Sequence, residues 1–453
     1  MLKVRVRSLV CSFLFLGLLS TAGSVFAGGG GRYCFGDGNS DDLHKIFSKS
    51  VNGQGLGLKI DPLPEDFKAG PMDLVSPNGR WMLSANTTQS TSNLIFFKMP
   101  EGETDFTKAK PFRFTYKGEL LARNTSPNGK QIFFVVREKQ GSIGVYSLDT
   151  QATKPKPVKI FAGAVENQTG DILEPISART DLFEMGIHSS DKGEVTLLLQ
   201  DFQKTVYKFV INNGETKLVP LRGSNLIQSQ DGKKIVLRHL SGNDLDLSDD
   251  VLVIRIASLE GTGGSKKLTL KLGTNLTNQQ SKTISEGQIL IPNIADQIVI
   301  NSKAGIFVFD SKNGNLLKLV NEGWARSDHS QVQISEYGQT VYRGIKGEGV
   351  AEVIDLIYQK VVGQMAFSDR AYLDPLNAYA VTDLGPANQA IQMLDIANVN
   401  LYKFDLSQSV PDYGHLNSFH VARDGSVAFI GYIKKAEAGK PEGRQGSFAL
   451  RFP

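Results

Sequence analysis

Cysteine is almost missing: the 453 residues hold only Cys11 and Cys34. Two cysteines cannot build a disulfide framework, and they exclude a zinc site made mainly of thiolates. The six histidines form no H-E-x-x-H pair, and no C-x-x-C, Walker or dinucleotide-binding loop is present. A G-x-S-x-G nucleophile elbow is also absent, which removes the usual serine-hydrolase reading. Beyond residue 27 no apolar run is long enough to cross a bilayer as a helix, so no membrane span is expected. Charge of one sign is lacking as well.

What stands at the N-terminus reads as a leader. Lys3, Arg5 and Arg7 precede "LVCSFLFLGLLS", and Val25 and Ala27 occupy the small-residue positions before a cleavage site. The expectation is a signal peptide over 1–27, no lipid anchor, and a periplasmic or secreted protein. Its removal takes three basic residues and no acidic one, which brings the 50 basic residues to within one of the 46 acidic. A near-neutral chain with no concentrated basic face argues against nucleic acid as a partner. Cys34 becomes the sole thiol of the mature chain. It either links two chains in a dimer or stays unpaired in an arm.

What the sequence has in abundance is a turn. Ser76-Pro77-Asn78-Gly79 and Ser126-Pro127-Asn128-Gly129 place Ser at the start of a type I turn, Pro with its φ already set, and Gly where φ turns positive. Looser copies follow at Ser190–Gly193, Ser229–Gly232, Ser335–Gly338 and Ala422–Gly425. After each comes a β-rich run such as "QIFFVVRE", "EVTLLLQ" or "SVAFIGYI", apolar at consecutive positions. A strand is written this way when both faces of its sheet are covered. Further strands follow each run, so the unit is a four-stranded meander that cannot bury its own faces. "QILIPN–QIVINS–GIFVFDS–LLKLVNE" and "RAYLDP–AYAVTD–IQMLDI–LYKFDL" keep the strand order without the turn.

Eight units begin near Met72, Leu121, Phe183, Asn225, Gln288, Gln331, Arg370 and Ser418. Units that bury one another by stacking close into a ring, so the fold expected is all-β, an eight-bladed β-propeller over 55–453. Seven blades is the alternative, because longer connections around Ala162–Thr180 and Gly273–Ile284 blur the count. The last unit has three strands, and "GLGLKID" (Gly55 to Asp61) is expected to supply the fourth and close the ring. Residues 28–54 are expected to form a Gly-rich arm with a short helix at Asp41–Lys49.

The two near-consensus turns, each followed by an apolar strand, resemble the TolB-type propeller repeat, a relative of WD-repeats marked by "SPDG(K/R)". Asn78 and Asn128 stand where that repeat has Asp. The resemblance implies an exported bacterial propeller that binds something. The α/β domain that precedes the propeller in TolB has no counterpart between Gly28 and Gln54.

Polar residues on or just before the first strands are expected to face the central channel: Asp73, Arg123, His188, Gln228, Asp328, His329, Arg370 and His420. Arg, Asp and His together can hold a small anionic or sugar-like ligand by charge-assisted hydrogen bonds; the alternative is that these positions are simply wetted. "GNDLDLSDD" offers Asp244, Asp246, Asp249 and Asp250 to Ca²⁺, against the alternative of a solvated acidic loop. "DGNSDD" lacks the Gly and Glu of an EF-hand loop and reads as a helix cap. Quinone-cofactor propellers repeat Trp at the blade period, which Trp81 and Trp324 do not, and no other cofactor is implied. The function expected is non-enzymatic: an envelope scaffold that engages a protein or peptide. A channel-site hydrolase or lyase, Ca²⁺-dependent or not, is the alternative.

Overall fold

A computed structural model of the chain describes residues 51–52, 59–64, 67, 74–139, 141–176, 186–229, 232–238, 251–272, 278–320, 329–335, 337–345, 350–366, 371–374, 379–384, 389–395, 400–422, 426–436 and 443–451. The chain divides into compact units 1–36 and 37–453, and everything that follows concerns the second. Cys34, the helix expected at Asp41–Lys49, and Leu56 and Leu58 lie outside the described residues.

Eight sheets follow one another along the chain. Each is a meander in which the first strand pairs with the second, the second with the third and the third with the fourth. The first strands of blades 1 to 8 are Leu74–Val75, Glu119–Thr125, Ile187–Ser189, Ser224–Gln228, Gln288–Leu290, His329–Ile334, Ala371–Asp374 and Tyr413–Val421. These starts match the eight repeat units of the sequence. All-β, eight-bladed architecture is the result; among the described residues one α-helix, Asn278–Ser285, stands in the connection from blade 4 to blade 5.

The repeated turn has a second purpose that its sequence does not announce. Gly79, Gly129, Gly193, Gly232 and Gly338 all take φ between +65° and +81°. Each donates its N–H to the carbonyl of the serine three residues earlier. The serine hydroxyl accepts a further N–H from the start of the second strand: from Trp81 to Ser76 at 3.0 Å, Gln131 to Ser126 at 3.0 Å and Lys234 to Ser229 at 2.9 Å. Ser therefore satisfies a donor at the point where the ladder has not yet begun. Blade 8 has Ala422 there, with no hydroxyl to accept, and the Ala422 N–H donates to the Val427 carbonyl at 2.8 Å.

Continuous apolar runs split by alternation. On the second strand of blade 2, Ile132, Phe134 and Val136 join the core shared with blade 1, while Phe133 and Val135 join the core shared with blade 3. Likewise Leu198 packs toward blade 4, and Leu197 and Leu199 toward blade 2. Period-2 geometry sends neighbouring side chains to opposite faces, and here both faces are interior. Among the described residues the buried apolar side chains form eight clusters, one for each blade-to-blade interface. The cluster between blades 8 and 1 closes the circle: Phe429 and Val427 of blade 8 meet Met82 and Phe97 of blade 1.

The clasp is in place. Lys59–Pro62 pairs antiparallel with Gln445–Arg451 and becomes the fourth strand of blade 8, with Asp61 opposite Ala449. Asp61 accepts from the Arg451 guanidinium, which also bonds the Thr104 carbonyl and lies 4.4 Å over the Phe106 ring of blade 1. Leu63 and Phe67 then enter the interface between blades 8 and 1. Just upstream, Val51–Asn52 adds in parallel to the outer edge of blade 7 opposite Tyr402 and Lys403. Blade 3 departs from the pattern. Its innermost position is shared by Ile187–Ser189, opposite Val195 to Leu197, and Glu174–Pro175, opposite Leu199 and Gln200.

Candidate functional site

Asp73, Asp328, Arg370, Asp244, Asp246, Asp249 and Asp250 lie outside the described residues. His329 opens the first strand of blade 6 opposite Ile345, and His420 lies half-buried on the first strand of blade 8 opposite Phe429. Arg123, His188 and Gln228 are only 3%, 3% and 8% exposed. Their side chains leave the sheet sideways, toward the neighbouring blade, as side chains on a radially oriented sheet must. Arg123 sits opposite Phe134, whose face packs on blade 1. His188 is opposite Thr196 and Gln228 opposite Ile235, so both point into the seam between blades 3 and 4. They flank Gly232: a Cβ added there would stand 3.0 Å from Gln228 Nε2 and 3.7 Å from His188 Nδ1. Gln228 Nε2 donates to the Gly232 carbonyl at 3.0 Å. The structure thus brings two of the eight together, His188 and Gln228, in the seam between blades 3 and 4.

Other buried charges are paired within a blade or across to the next one. Arg343 Nη2 donates to Glu352 Oε2 at 2.8 Å, with both side chains buried, and Gln364 reaches the other carboxylate oxygen at 3.3 Å. These three lie on the face of blade 6 that packs against blade 5, because Arg343 shares its side of the strand with Val341. Lys208, fully buried on the third strand of blade 3, donates to the Ser258 carbonyl of blade 4 at 3.0 Å, and burial lowers its pKa. Among the described residues no three His, Cys, Asp or Glu side chains converge as a metal site, and no helix is long and apolar enough to cross a membrane.

A different place has the character of a docking surface. Turns between first and second strands, and between third and fourth, lie on one rim of the ring. On blades 5 and 6 that rim exposes Ile294 (51%), Tyr337 (59%), Ile357 (42%) and Tyr358 (51%), with Leu317 beside them at the start of a fourth strand. Five of the eight large apolar side chains that are exposed among the described residues belong to these two blades.

The backbone under them is firmly held. Tyr337 sits in the serine turn, where Ser335 Oγ accepts from Thr340 N at 3.0 Å. Asp355 Oδ1 accepts from Ile357 N at 2.7 Å and Tyr358 N at 3.1 Å, which fixes the second turn. The two turns join through Leu356 N to the Gln339 carbonyl at 2.8 Å. Lys318 of blade 5 donates to the Leu356 carbonyl at 3.1 Å, and Gly338 packs so closely on Pro292 that a Cβ would come within 3.1 Å. Apolar groups held out by a satisfied, interlocked backbone form a surface that is organised before a partner arrives. A signal for it exists in the sequence: "DLIYQK" puts three apolar residues in a turn where "DTQATK" and "DSKNGN" are polar.

The sequence matches no model of a known protein family and no curated protein. Solved structures do resemble it. The WD40 domain of SCAP from fission yeast superimposes with a TM-score of 0.50 at 12% identity, over 89% of this chain and 96% of that one. The dihydro-heme d1 dehydrogenase NirN, in complex with DHE, gives a TM-score of 0.44 at 11% identity over 75% of this chain. This chain spans 66% of the length of NirN. The likeness to the WD40 domain is one of fold: a propeller of radially packed sheets.

Proposed function

We propose that the protein is an exported binding scaffold of the bacterial envelope and that the rim of blades 5 and 6 receives a protein or peptide partner. The observation that carries this is the cluster of Ile294, Leu317, Tyr337, Ile357 and Tyr358 on interlocked turns. Tyrosine offers a large contact area with few rotatable bonds and a hydroxyl for the wet edge, the profile of an interface anchor. The leader over 1–27 and the TolB-type turns support the envelope setting. The WD40-like fold supports a binding role, since such a ring presents broad rims.

The test is a photo-crosslinking residue at position 359, exposed beside Tyr358 on the same turn, in cells, followed by capture under denaturing conditions. One specific protein should be recovered, and Tyr337→Ala with Tyr358→Ala should lose it while the purified variant keeps its unfolding midpoint. Recovery of the same protein by that double variant would rule out this rim. N-terminal sequencing of the mature protein tests export, with Gly28 as the expected first residue.

A further inference from the structure

Net charge conceals a segregation. The first three strands of the blades carry eleven basic and ten acidic residues. The fourth strands, which form the outer wall, carry twelve basic and three acidic. Every fourth strand has at least one lysine. Blade 1 has Lys110, Arg113 and Lys117, and blade 4 has Lys266, Lys267 and Lys271, all exposed. We infer that this wall is a binding surface for a flexible anionic polymer, one with phosphate, sulfate or carboxylate groups repeated along its length.

Two observations separate this from ordinary protection of sheet edges. Edge protection favours lysine in particular, but one on a strand is enough to discourage pairing with another edge; blades 1 and 4 carry three basic residues each. On five of the lysines the charge is also left standing. Among the described residues no carboxylate lies within ion-pair distance of Lys110, Lys117, Lys217, Lys266 or Lys267, whereas Lys159 meets Glu138 at 2.5 Å. Like charges even face one another across the ladder, Lys98 opposite Lys110 and Arg255 opposite Lys267. Such pairs oppose folding. Lys217 adds its repulsion to the burial that lowers the pKa of Lys208. A bound polyanion relieves all of these repulsions at once.

Distribution selects the kind of anion. The lysines stand on all eight blades and so follow a curved wall around the ring. A flat bilayer touches an arc of that wall, whereas a flexible polymer tracks the curve and collects successive contacts. Lysine suits the task, being a point charge on a mobile stem that needs no fixed ligand geometry. The free energy comes from counterions released by the polymer, so binding must weaken steeply with salt. The surface is separate from the apolar rim, and its test leaves Tyr337 and Tyr358 in place.

The probe is long-chain inorganic polyphosphate added to the full mature chain, with binding followed by anisotropy between about 50 and 200 mM salt. Log affinity should fall linearly with log salt. The variant carrying Lys110→Glu, Lys117→Glu, Lys266→Glu and Lys267→Glu should bind at least about tenfold more weakly, with a salt slope reduced by about one for each lysine engaged. Gel filtration and circular dichroism check that it remains a folded monomer; if it does not, the blade 1 and blade 4 pairs are reversed separately. Three results would overturn the inference: no polyphosphate binding at the lowest salt, binding untouched by reversal, or binding confined to phosphatidylglycerol vesicles.

Discussion

Second and fourth strands of the same blade obey different rules, although both belong to one meander. In blade 1, Met82 and Leu83 are adjacent on the second strand, yet they serve two cores, one shared with blade 8 and one with blade 2. The fourth strand, Lys110–Lys117, alternates. Phe112, Phe114 and Tyr116 pack toward blade 2, while Pro111, Arg113, Thr115 and Lys117 are exposed. Neighbouring blades diverge with distance from the axis and cover only one face of the outermost strand. The hydrophobic period of a strand therefore reports its radius in the ring: near-continuous inside, alternating at the edge.

Substitutions sharpen that contrast in proportion to radius. Phe134→Ala, on the second strand of blade 2, removes a ring stacked on Tyr146 at 5.2 Å and should cost about 3–5 kcal/mol in urea unfolding. Phe112→Ala, half-buried on the fourth strand of blade 1, should cost about 1–2 kcal/mol in the same assay. Equal losses at the two positions would break the radial rule. Asp61→Ala should cost about 2 kcal/mol, because it takes from Arg451 a charge-assisted partner within the clasp.

Alkaline pH probes the interior side of the comparison without mutation. Burial raises the pKa of the Tyr342, Tyr116 and Tyr432 hydroxyls above the ordinary value of about 10. A raised folded pKa favours the fold fully below that ordinary value, and the benefit is lost as pH rises beyond it. Urea midpoints should hold to about pH 9.5 and then fall, and the 295 nm absorbance of these phenolates should appear together with unfolding. The smallest effect belongs to the wall. Lys267→Gln should change stability by less than about 0.5 kcal/mol and in the favourable direction, since it removes the charge facing Arg255.

Legibility followed the same radius. Blades 5 and 7 were readable without the serine turn because their second strands, "QIVINS" and "YAVTD", belong to series of β-rich runs that recur at short, similar intervals. The closing strand was readable as an apolar segment ahead of a three-stranded last unit, and it lies at Lys59–Pro62, overlapping the end of the segment expected and running one residue beyond it. The parallel addition of Val51–Asn52 was not legible: two residues carry no period. Neither was the divided first strand of blade 3, because Glu174–Pro175 has no apolar pattern and is placed by backbone pairing alone. Arg123, His188, Gln228, His329 and His420 lie on first strands, but which neighbour each one faces depends on register. Register at Arg123, His188 and Gln228 is set by pairing with the second strand and cannot be seen in a residue type. The rim patch was legible in "DLIYQK" as a turn with the wrong polarity.

Closure by Lys59–Pro62 imposes an order on the life of the chain. Asp61 and Arg451 are 390 residues apart, so a ribosome adding about 5–20 residues per second makes the first of them roughly 20–80 s before the second. Throughout that interval the closing strand must wait, unpaired, for Gln445–Arg451 to arrive. Pro62 within it and Pro64 just beyond suit the delay: each lacks an N–H and makes a poor template for a stray strand. A chain halted before Gln445–Arg451 is thus an open arc with two adhesive ends, and it becomes a circle only once that strand is made.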